Sequence, residues 1–175
     1  MAVLVQLEER MIRIYEGCDG SGKSTKAQED ALKLGCPYVH NPVDWRCENP
    51  YEAWLEFFNK YKDKDICVDR SFIGNPIYRT WDNGYESSDF WDDELDDLCR
   101  QKYTLIYCES GTEYEDATSR GEDNLKTKED YDKIKELYDL FIKRNILPHN
   151  PVYKYNWRTQ EMSEVKAEET EVSFE

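Results

Sequence analysis

The stretch "IYEGCDGSGKSTKAQ", residues 14–28, places three glycines and then Lys23 directly after a short apolar run. Within it, residues 17–24 match the pattern G-x-x-x-x-G-K-[ST]. Residues 10–17, "RMIRIYEG", alternate as a strand does, and helical spacing begins after Gly22. A strand, a glycine loop and a helix in this order form the context in which the pattern binds phosphate groups. We therefore predict a phosphate-binding loop between the first strand and the first helix.

This loop is predicted to hold a nucleoside triphosphate. Glycines allow the backbone N–H groups to converge on phosphate oxygens, and the dipole of the following helix points at the same anion. Lys23 is expected to reach the β- and γ-phosphates, Ser24 to ligate Mg²⁺, and Thr25 to lie beside the α-phosphate. The predicted triphosphate-binding residues are Gly17, Gly20, Ser21, Gly22, Lys23, Ser24 and Thr25. The alternative interpretation is a glycine-rich turn with an exposed lysine.

Strand-like and helix-like segments alternate along the rest of the chain. Further strands are predicted at 38–41, 65–71, 103–108 and 152–157, and helices at 49–63, 88–101, from 112 onward and at 127–145. Parallel strands need crossover connections, which are usually helical. The alternation therefore predicts an α/β fold in which helices cover both faces of a parallel sheet.

Composition narrows the classes of function. The net charge of −15 argues against a nucleic-acid partner, because it repels a phosphate backbone, but it admits a small anion neutralised by magnesium.

No apolar run is long enough to cross a bilayer, so we expect no membrane partner and a cytoplasmic location. Six cysteines without a C-x-x-C pair are interpreted as reduced thiols. The acidic segment 158–175 is predicted to be a short helix or tail.

Triphosphate binding alone fits a kinase, a GTPase switch, a motor or an ATP-driven assembly subunit. A GTPase would carry a guanine-reading N-K-x-D sequence, which this chain lacks. A motor needs a larger mechanical domain than 175 residues can provide. These exclusions favour a kinase.

Two further stretches carry a family resemblance. "EGCDGSGKST", residues 16–25, together with "DRSFIGNPIY", residues 69–78, resembles the thymidylate kinase family, and the resemblance extends from Met11 to Trp157. It implies a three-layer P-loop NTPase fold with a five-stranded parallel sheet and a short lid. It also divides the chain into an N-terminal extension at 1–10 and a kinase domain at 11–157, with the lid at about 119–127. The short length is similar to that of virus-encoded members, which would place the protein in the host cytoplasm.

The resemblance also assigns roles to individual residues. It places Asp19 at the sugar 3′-hydroxyl of the acceptor, Asp69 beside magnesium, Arg70 on the acceptor phosphate and Arg120 in the lid, next to the transferring group. The implied catalytic residues are Lys23, Asp69, Arg70 and Arg120, the metal ligands are Ser24 and Asp69, and the acceptor-binding residues are Asp19, Arg70 and Tyr78. Phe72 is added as an aromatic face that can stack on the acceptor base, and Arg79 as a further acceptor-binding cation.

The chain departs from the family at two points. Where the family usually carries Arg-Glu-Pro, this sequence has "HNPVDW" at 40–45, so Arg46 or Arg79 is the candidate to replace the missing arginine. Arg79 also stands where members often have glutamine, which leaves the base of the acceptor open.

The expected reaction is therefore transfer of a phosphoryl group from Mg²⁺-bound ATP to a deoxynucleoside monophosphate, with dTMP or a related pyrimidine favoured. The first alternative is a deoxynucleoside kinase that uses Asp69 as its general base, and the second is a non-catalytic nucleotide-binding module. The expected partner is a small-molecule nucleotide. The family's frequent dimerisation also allows a homodimer.

Overall fold

The structure is a computed structural model that describes residues 10–82, 92–121 and 127–167. Its strands are β1 (Ile12–Glu16), β2 (Tyr38–His40), β3 (Ile66–Asp69), β4 (Thr104–Cys108), β5 (Val152–Asn156) and β6 (Glu161–Glu164). Its helices are α1 (Lys23–Leu34), α2 (Pro50–Lys60), α3 (Gly74–Asp82), α4 (Asp93–Cys99), α5 (Glu113–Ser119) and α6 (Lys128–Phe141), and α6 continues into a π-helical turn at Ile142–Ile146.

Helix starts follow the sequence signals closely. Asn49 caps α2 by accepting a hydrogen bond from the Glu52 amide at 3.1 Å, and Pro50 occupies the first helical position. Thr127 and Asp130 form a reciprocal capping box at the start of α6. The aromatic face of α2 turns inward, because Trp54 and Phe58 are buried in the core.

The sheet confirms the predicted α/β class and adds one strand to it. Its order is β2-β3-β1-β4-β5-β6, and all the pairs among the first five strands are parallel. The sixth strand, β6, pairs antiparallel with β5. It lies in the segment for which a helix or tail was predicted, so that prediction is wrong for residues 161–164. Residues 168–175 of the same segment lie outside the described ranges.

Side chains at successive strand positions belong alternately to two apolar clusters on opposite faces of the sheet. The larger cluster contains Ile14 and Val68 and is covered by aromatic residues of α2 and α6. The smaller contains Tyr15 and Cys67 and is covered by α1 through Ala27 and Ala31. The alternation along β1 and β3 is the period of two that a strand imposes. With both faces covered, only the edges and ends of the strands are left to carry chemistry.

Functional side chains are expected where the parallel strands end. β1 ends in the glycine loop, β3 ends at Asp69, and β5 ends just before Trp157. Open parallel sheets bind their ligands in the crevice at this carboxyl edge. Within the described ranges, no helix combines the length and the apolar character that crossing a membrane requires.

Candidate active site

The glycine loop has a conformation that few other residues would allow. Gly20 and Gly22 have φ values of 78° and 82°, in the left-handed region. A Cβ atom on Gly20 would lie 2.7 Å from the Glu113 carbonyl oxygen, and one on Gly22 would lie 2.9 Å from the Trp157 ring. The two glycines therefore serve both the backbone conformation and the close approach of α5 and of the chain after β5.

Lys23 lies at the first turn of α1 and is buried. Its Nζ donates a hydrogen bond to the Cys18 carbonyl oxygen at 3.1 Å, which holds the amine across the loop. Helix α1 begins without a side-chain cap, so its first amides are available as donors to an anion. The loop, the lysine and the helix end together form the phosphate-binding arrangement that the motif predicts.

Asp69 lies at the carboxyl end of β3 and is fully buried. Its Oδ2 accepts hydrogen bonds from the Tyr38 hydroxyl at 2.7 Å and from His40 Nδ1 at 3.0 Å. Burial alone would raise the pKa of this carboxyl group, but hydrogen bonds from Ser24, Tyr38 and His40 outweigh burial and lower the pKa. Asp69 is therefore held as a carboxylate.

A magnesium ion fits the oxygens that meet here. The Oδ1 atom of Asp69 is buried and has no hydrogen-bond partner among the described residues, and the Ser24 hydroxyl lies beside the same carboxylate. Mg²⁺ is commonly bound by one or two protein oxygens together with waters and phosphate oxygens. The described residues contain no group of three or more His, Cys, Asp or Glu side chains suited to a metal.

Arg70 and Asp19, both predicted to bind the acceptor, form an ion pair. Arg70 Nη2 lies 3.1 Å from Asp19 Oδ1, which joins the residue after β3 to the glycine loop. Arg70 has φ 72°, a conformation that costs energy in a residue with a side chain and is concentrated at functional sites. The guanidinium remains about half exposed, at 45%, so a ligand can still reach it.

Glu16 contributes more than the sequence indicated. Its Oε1 accepts hydrogen bonds from the amide and the hydroxyl of Ser71, both at 2.8 Å, and its Oε2 accepts one from the Tyr138 hydroxyl at 3.1 Å. Burial raises the pKa of Glu16, and these hydrogen bonds and the charge of Lys23 only partly oppose that rise. The network fixes the ends of β1 and β3 against α6.

A small cavity of 150 Å³ connects these groups. Its lining includes Glu16, Lys23, Trp45, Arg70, Tyr78 and Tyr138. Two cations, a buried carboxyl group and three aromatic rings therefore face one space. The predicted acceptor residue Tyr78 belongs to it, whereas Asp69 does not line it.

Two other predicted acceptor residues, Phe72 and Arg79, line a second cavity. This cavity has a volume of 280 Å³ and includes Phe72, Arg79 and Trp54 in its lining. Asn75 lines both cavities, so they adjoin at the start of α3. Phe72 is mostly buried and meets the Trp54 and Tyr103 rings edge-on at 5.6 and 6.0 Å, so its main role is in the core.

Of the predicted lid at about 119–127, the structure describes residues 119–121 and 127. Arg120 caps the end of α5 and is exposed, and Gly121 follows it in a left-handed conformation. Residues 122–126 of the predicted lid lie outside the described ranges. The role of Arg120 therefore stays a prediction. Arg46, a proposed substitute, is exposed and pairs with Asp44 at 3.2 Å.

Sequence reasoning missed the residues that contact the loop from distant segments. Trp157 packs against Gly22, and Arg158 lies over the Trp157 ring at 4.6 Å. Arg158 also donates to Asp116 Oδ1 at 2.6 Å and to Thr112 Oγ1 at 2.7 Å, which ties α5 to the end of β5. The one signal that pointed to Trp157 was its place directly after a strand. Tyr138 and Trp45 carried no signal of their own.

Comparisons with known proteins agree with this geometry at the level of the fold. No protein-family model and no curated protein sequence matches the chain. Among solved structures, it is similar to YorR from Bacillus subtilis in complex with phosphorylated GDP, with 18% identity, a TM-score of 0.58, and coverage of 83% of this chain and 85% of YorR.

Two kinases of nucleosides and nucleotides are similar to the chain over most of their length. Deoxyadenosine kinase from M. mycoides with bound dATP has 20% identity and a TM-score of 0.55, over 86% of this chain and 95% of that enzyme. Thymidylate kinase from Candida albicans has 12% identity and a TM-score of 0.57, over 91% of this chain and 97% of that enzyme. The chain therefore has the fold that P-loop nucleoside and nucleotide kinases share.

Asp69→Asn is expected to lower the turnover of this site roughly ten- to hundredfold while changing ATP affinity much less, because the carboxylate is placed to orient a metal and its waters. The lowered pKa of Asp69 also stabilises the fold above the ordinary carboxyl pKa, and this contribution is lost as the pH falls through the folded-state value. Melting curves of the variant should therefore lose part of their acid dependence. Steady-state kinetics and ATP titrations test the first expectation, and equal losses in turnover and affinity would indicate a structural role.

Proposed function

We propose that this protein transfers the γ-phosphoryl group of ATP to the 5′-phosphate of a deoxynucleoside monophosphate, with dTMP or a related pyrimidine favoured. One observation carries the proposal. Lys23 of the phosphate loop and Arg70 after β3 face the same 150 Å³ cavity. In a chain of net charge −15, two cations that converge on one space are the arrangement that two phosphate groups require.

On the donor side, the amides of the glycine loop and Lys23 would bind the triphosphate. Ser24 and Asp69 would hold Mg²⁺, which supplies charge neutralisation to the phosphate oxygens when it is bound. Asp69 acts through its fixed orientation, because Tyr38 and His40 occupy its other oxygen. These residues align the donor without a covalent step of their own.

On the acceptor side, Arg70 would bind the monophosphate while Asp19 meets the sugar. The base would extend past Asn75 toward the second cavity, where Arg79 and the edge of Phe72 lie. Trp45 is 60% exposed and lines the first cavity, so its ring is a further surface for the acceptor. A monophosphate acceptor is already ionised near neutral pH and needs cations rather than a base.

The second candidate is a deoxynucleoside kinase, whose hydroxyl acceptor needs a general base. Asp69 is a poor choice for that base, because it is fully buried and does not line the cavity. Glu16 does line it, and burial raises its pKa, so it is the carboxyl group that could accept a proton there. The similarity to deoxyadenosine kinase concerns the fold and does not choose between the two acceptors.

A panel assay of ADP formation tests the proposal. The purified protein is mixed with Mg²⁺, ATP and one acceptor at a time, taken from the four deoxynucleoside monophosphates and the four deoxynucleosides. We expect turnover with dTMP or a related pyrimidine monophosphate and little with any nucleoside. Turnover with a nucleoside alone, abolished by Glu16→Gln, would replace the proposal by the second candidate. ATP binding without turnover on any acceptor would indicate a non-catalytic nucleotide-binding module.

The charge of the chain also bears on its partners. We propose that free nucleotides, rather than nucleic acids, are the ligands, because a net charge of −15 opposes binding to a phosphate backbone.

A further inference from the structure

Two cysteine sulfurs touch on the face of the sheet that α1 covers. The Sγ atoms of Cys36 and Cys67 are 3.8 Å apart. All six cysteines lie in the described part of the chain, and this is the one pair whose sulfur atoms are in contact there. Cys67 is buried on β3, whereas Cys36 is half-buried in the loop that follows α1.

Backbone contacts hold the two residues side by side. Cys67 donates its amide to the Pro37 carbonyl oxygen at 3.0 Å, and its register partner on β2 is Tyr38. On the other side, the Cys36 amide donates to the Ala31 carbonyl oxygen at 3.0 Å, which closes the end of α1. Both thiols are therefore positioned by main-chain hydrogen bonds and not by chance side-chain rotamers.

We propose that Cys36 and Cys67 are an oxidisable pair that a hydroperoxide converts into a disulfide, joining the end of the phosphate-loop helix to β3. A disulfide needs its sulfurs about 2.05 Å apart, so each must move less than 1 Å toward the other from van der Waals contact. Cys36 stands in a loop, where rotation of its side chain can supply that movement. The pair is separated from Lys23 by the length of α1, about 18 Å.

The chemistry divides into two balanced steps. The Cys36 thiolate attacks one oxygen of the hydroperoxide, the O–O bond breaks, and Cys36 becomes a sulfenic acid while an alkoxide or hydroxide leaves. The Cys67 sulfur then attacks the Cys36 sulfur, the S–S bond forms, the S–O bond breaks, and the hydroxyl group leaves as water with the proton of Cys67. Two thiols are oxidised and one peroxide is reduced.

The surroundings of the two thiols indicate which cysteine reacts first with the peroxide. Cys36 is the more accessible, so the peroxide meets it first. The Tyr15 hydroxyl donates to Asp30 at 2.7 Å and lies 3.7 Å from Cys67 Sγ, so its oxygen can accept a hydrogen bond from the thiol and orient the sulfur.

The expected consequence is a more stable protein. Closing the loop between residues 36 and 67 restricts the unfolded chain, and the bond lies at the opposite end of α1 from Lys23. Oxidation should raise the melting temperature by roughly 5 °C or more. Treatment with dithiothreitol should return it to the starting value.

The experiment uses the full chain in a Cys47→Ser background, because Cys47 is exposed and would form bonds between molecules. After treatment with hydrogen peroxide, an alkylated digest is mapped by mass spectrometry, and the intact protein is weighed and melted. The Cys36–Cys67 peptide and a mass loss of about 2 Da are expected. Cys36→Ser in the same background should give neither the linked peptide nor the rise in melting temperature, and Cys47→Ser alone serves as the matched control.

Two results would overturn the proposal. One is Cys36 recovered as sulfinic or sulfonic acid while Cys67 remains open to alkylation after unfolding. The other is a linked peptide without any rise in melting temperature, or a rise that persists in Cys36→Ser. Both readouts are independent of phosphoryl transfer, so they stand whether or not the proposed function is correct.

Discussion

Lys23→Ala is expected to lower phosphoryl transfer at least about a thousandfold, which corresponds to about 4 kcal/mol of lost transition-state stabilisation. The amine lies at the first turn of α1, is held by the Cys18 carbonyl oxygen, and faces the same cavity as Arg70. Its loss removes the side-chain cation of the phosphate loop. The fold should persist, because Lys23 belongs to neither apolar cluster.

Single-turnover rates with ATP and the best acceptor of the panel measure this effect, together with melting curves and circular dichroism. Lys33→Ala is the matched control, because Lys33 is an exposed lysine near the other end of the same helix. The control should retain full activity. Unchanged turnover in a normally folded Lys23→Ala protein would refute the kinase proposal.

Arg120→Ala is expected to lower turnover on the order of a thousandfold while leaving the dissociation constant of the acceptor within about threefold. The phosphate loop, residues 17–24, contains no arginine that could contact the transferring group. Arg120 ends α5 at the start of the predicted lid, so closure would bring it to the transferring group. A contact made mainly in the transition state changes the rate and not the binding.

Calorimetry of acceptor binding and single-turnover kinetics separate the two quantities. Arg100→Ala provides the control, because Arg100 also ends a helix and pairs with a surface carboxylate, Asp96, at 2.9 Å. If Arg120→Ala turns over within about tenfold of the parent protein, the lid assignment is wrong. Arg46 and Arg79 would then be the arginines to test.

The fold and half of the site could be predicted from local signals. The phosphate loop is contiguous in sequence, and its glycines and lysine have roles that follow from backbone geometry, so the pattern was sufficient. The resemblance to a known family assigned acceptor roles to Asp19 and Arg70, and the structure adds that their side chains are paired. The sixth strand was missed because "EMSE" lacks the apolar alternation of a half-buried strand and is held mainly by pairing with β5.

The remaining site residues depend on contacts that no local pattern encodes. Glu16 accepts a hydrogen bond from the nearby end of β3 through the Ser71 amide. Its bond to Tyr138, however, joins positions 122 residues apart. Trp45 lies in the stretch 40–45, where the sequence departs from the family, so the resemblance assigned it no role. Such residues become visible only when the strands and helices are assembled.

The residues that pack against the phosphate loop come from distant parts of the chain. Gly20 is packed against the Glu113 carbonyl group and Gly22 against Trp157, although the motif itself is complete by Ser24. Contacts between residues so far apart form only after most of the chain has been synthesised and has collapsed. A nascent chain that ends before Trp157 therefore contains every residue of the motif but lacks the ring that packs against Gly22. The glycine loop therefore reaches its final packing late in the folding of this protein.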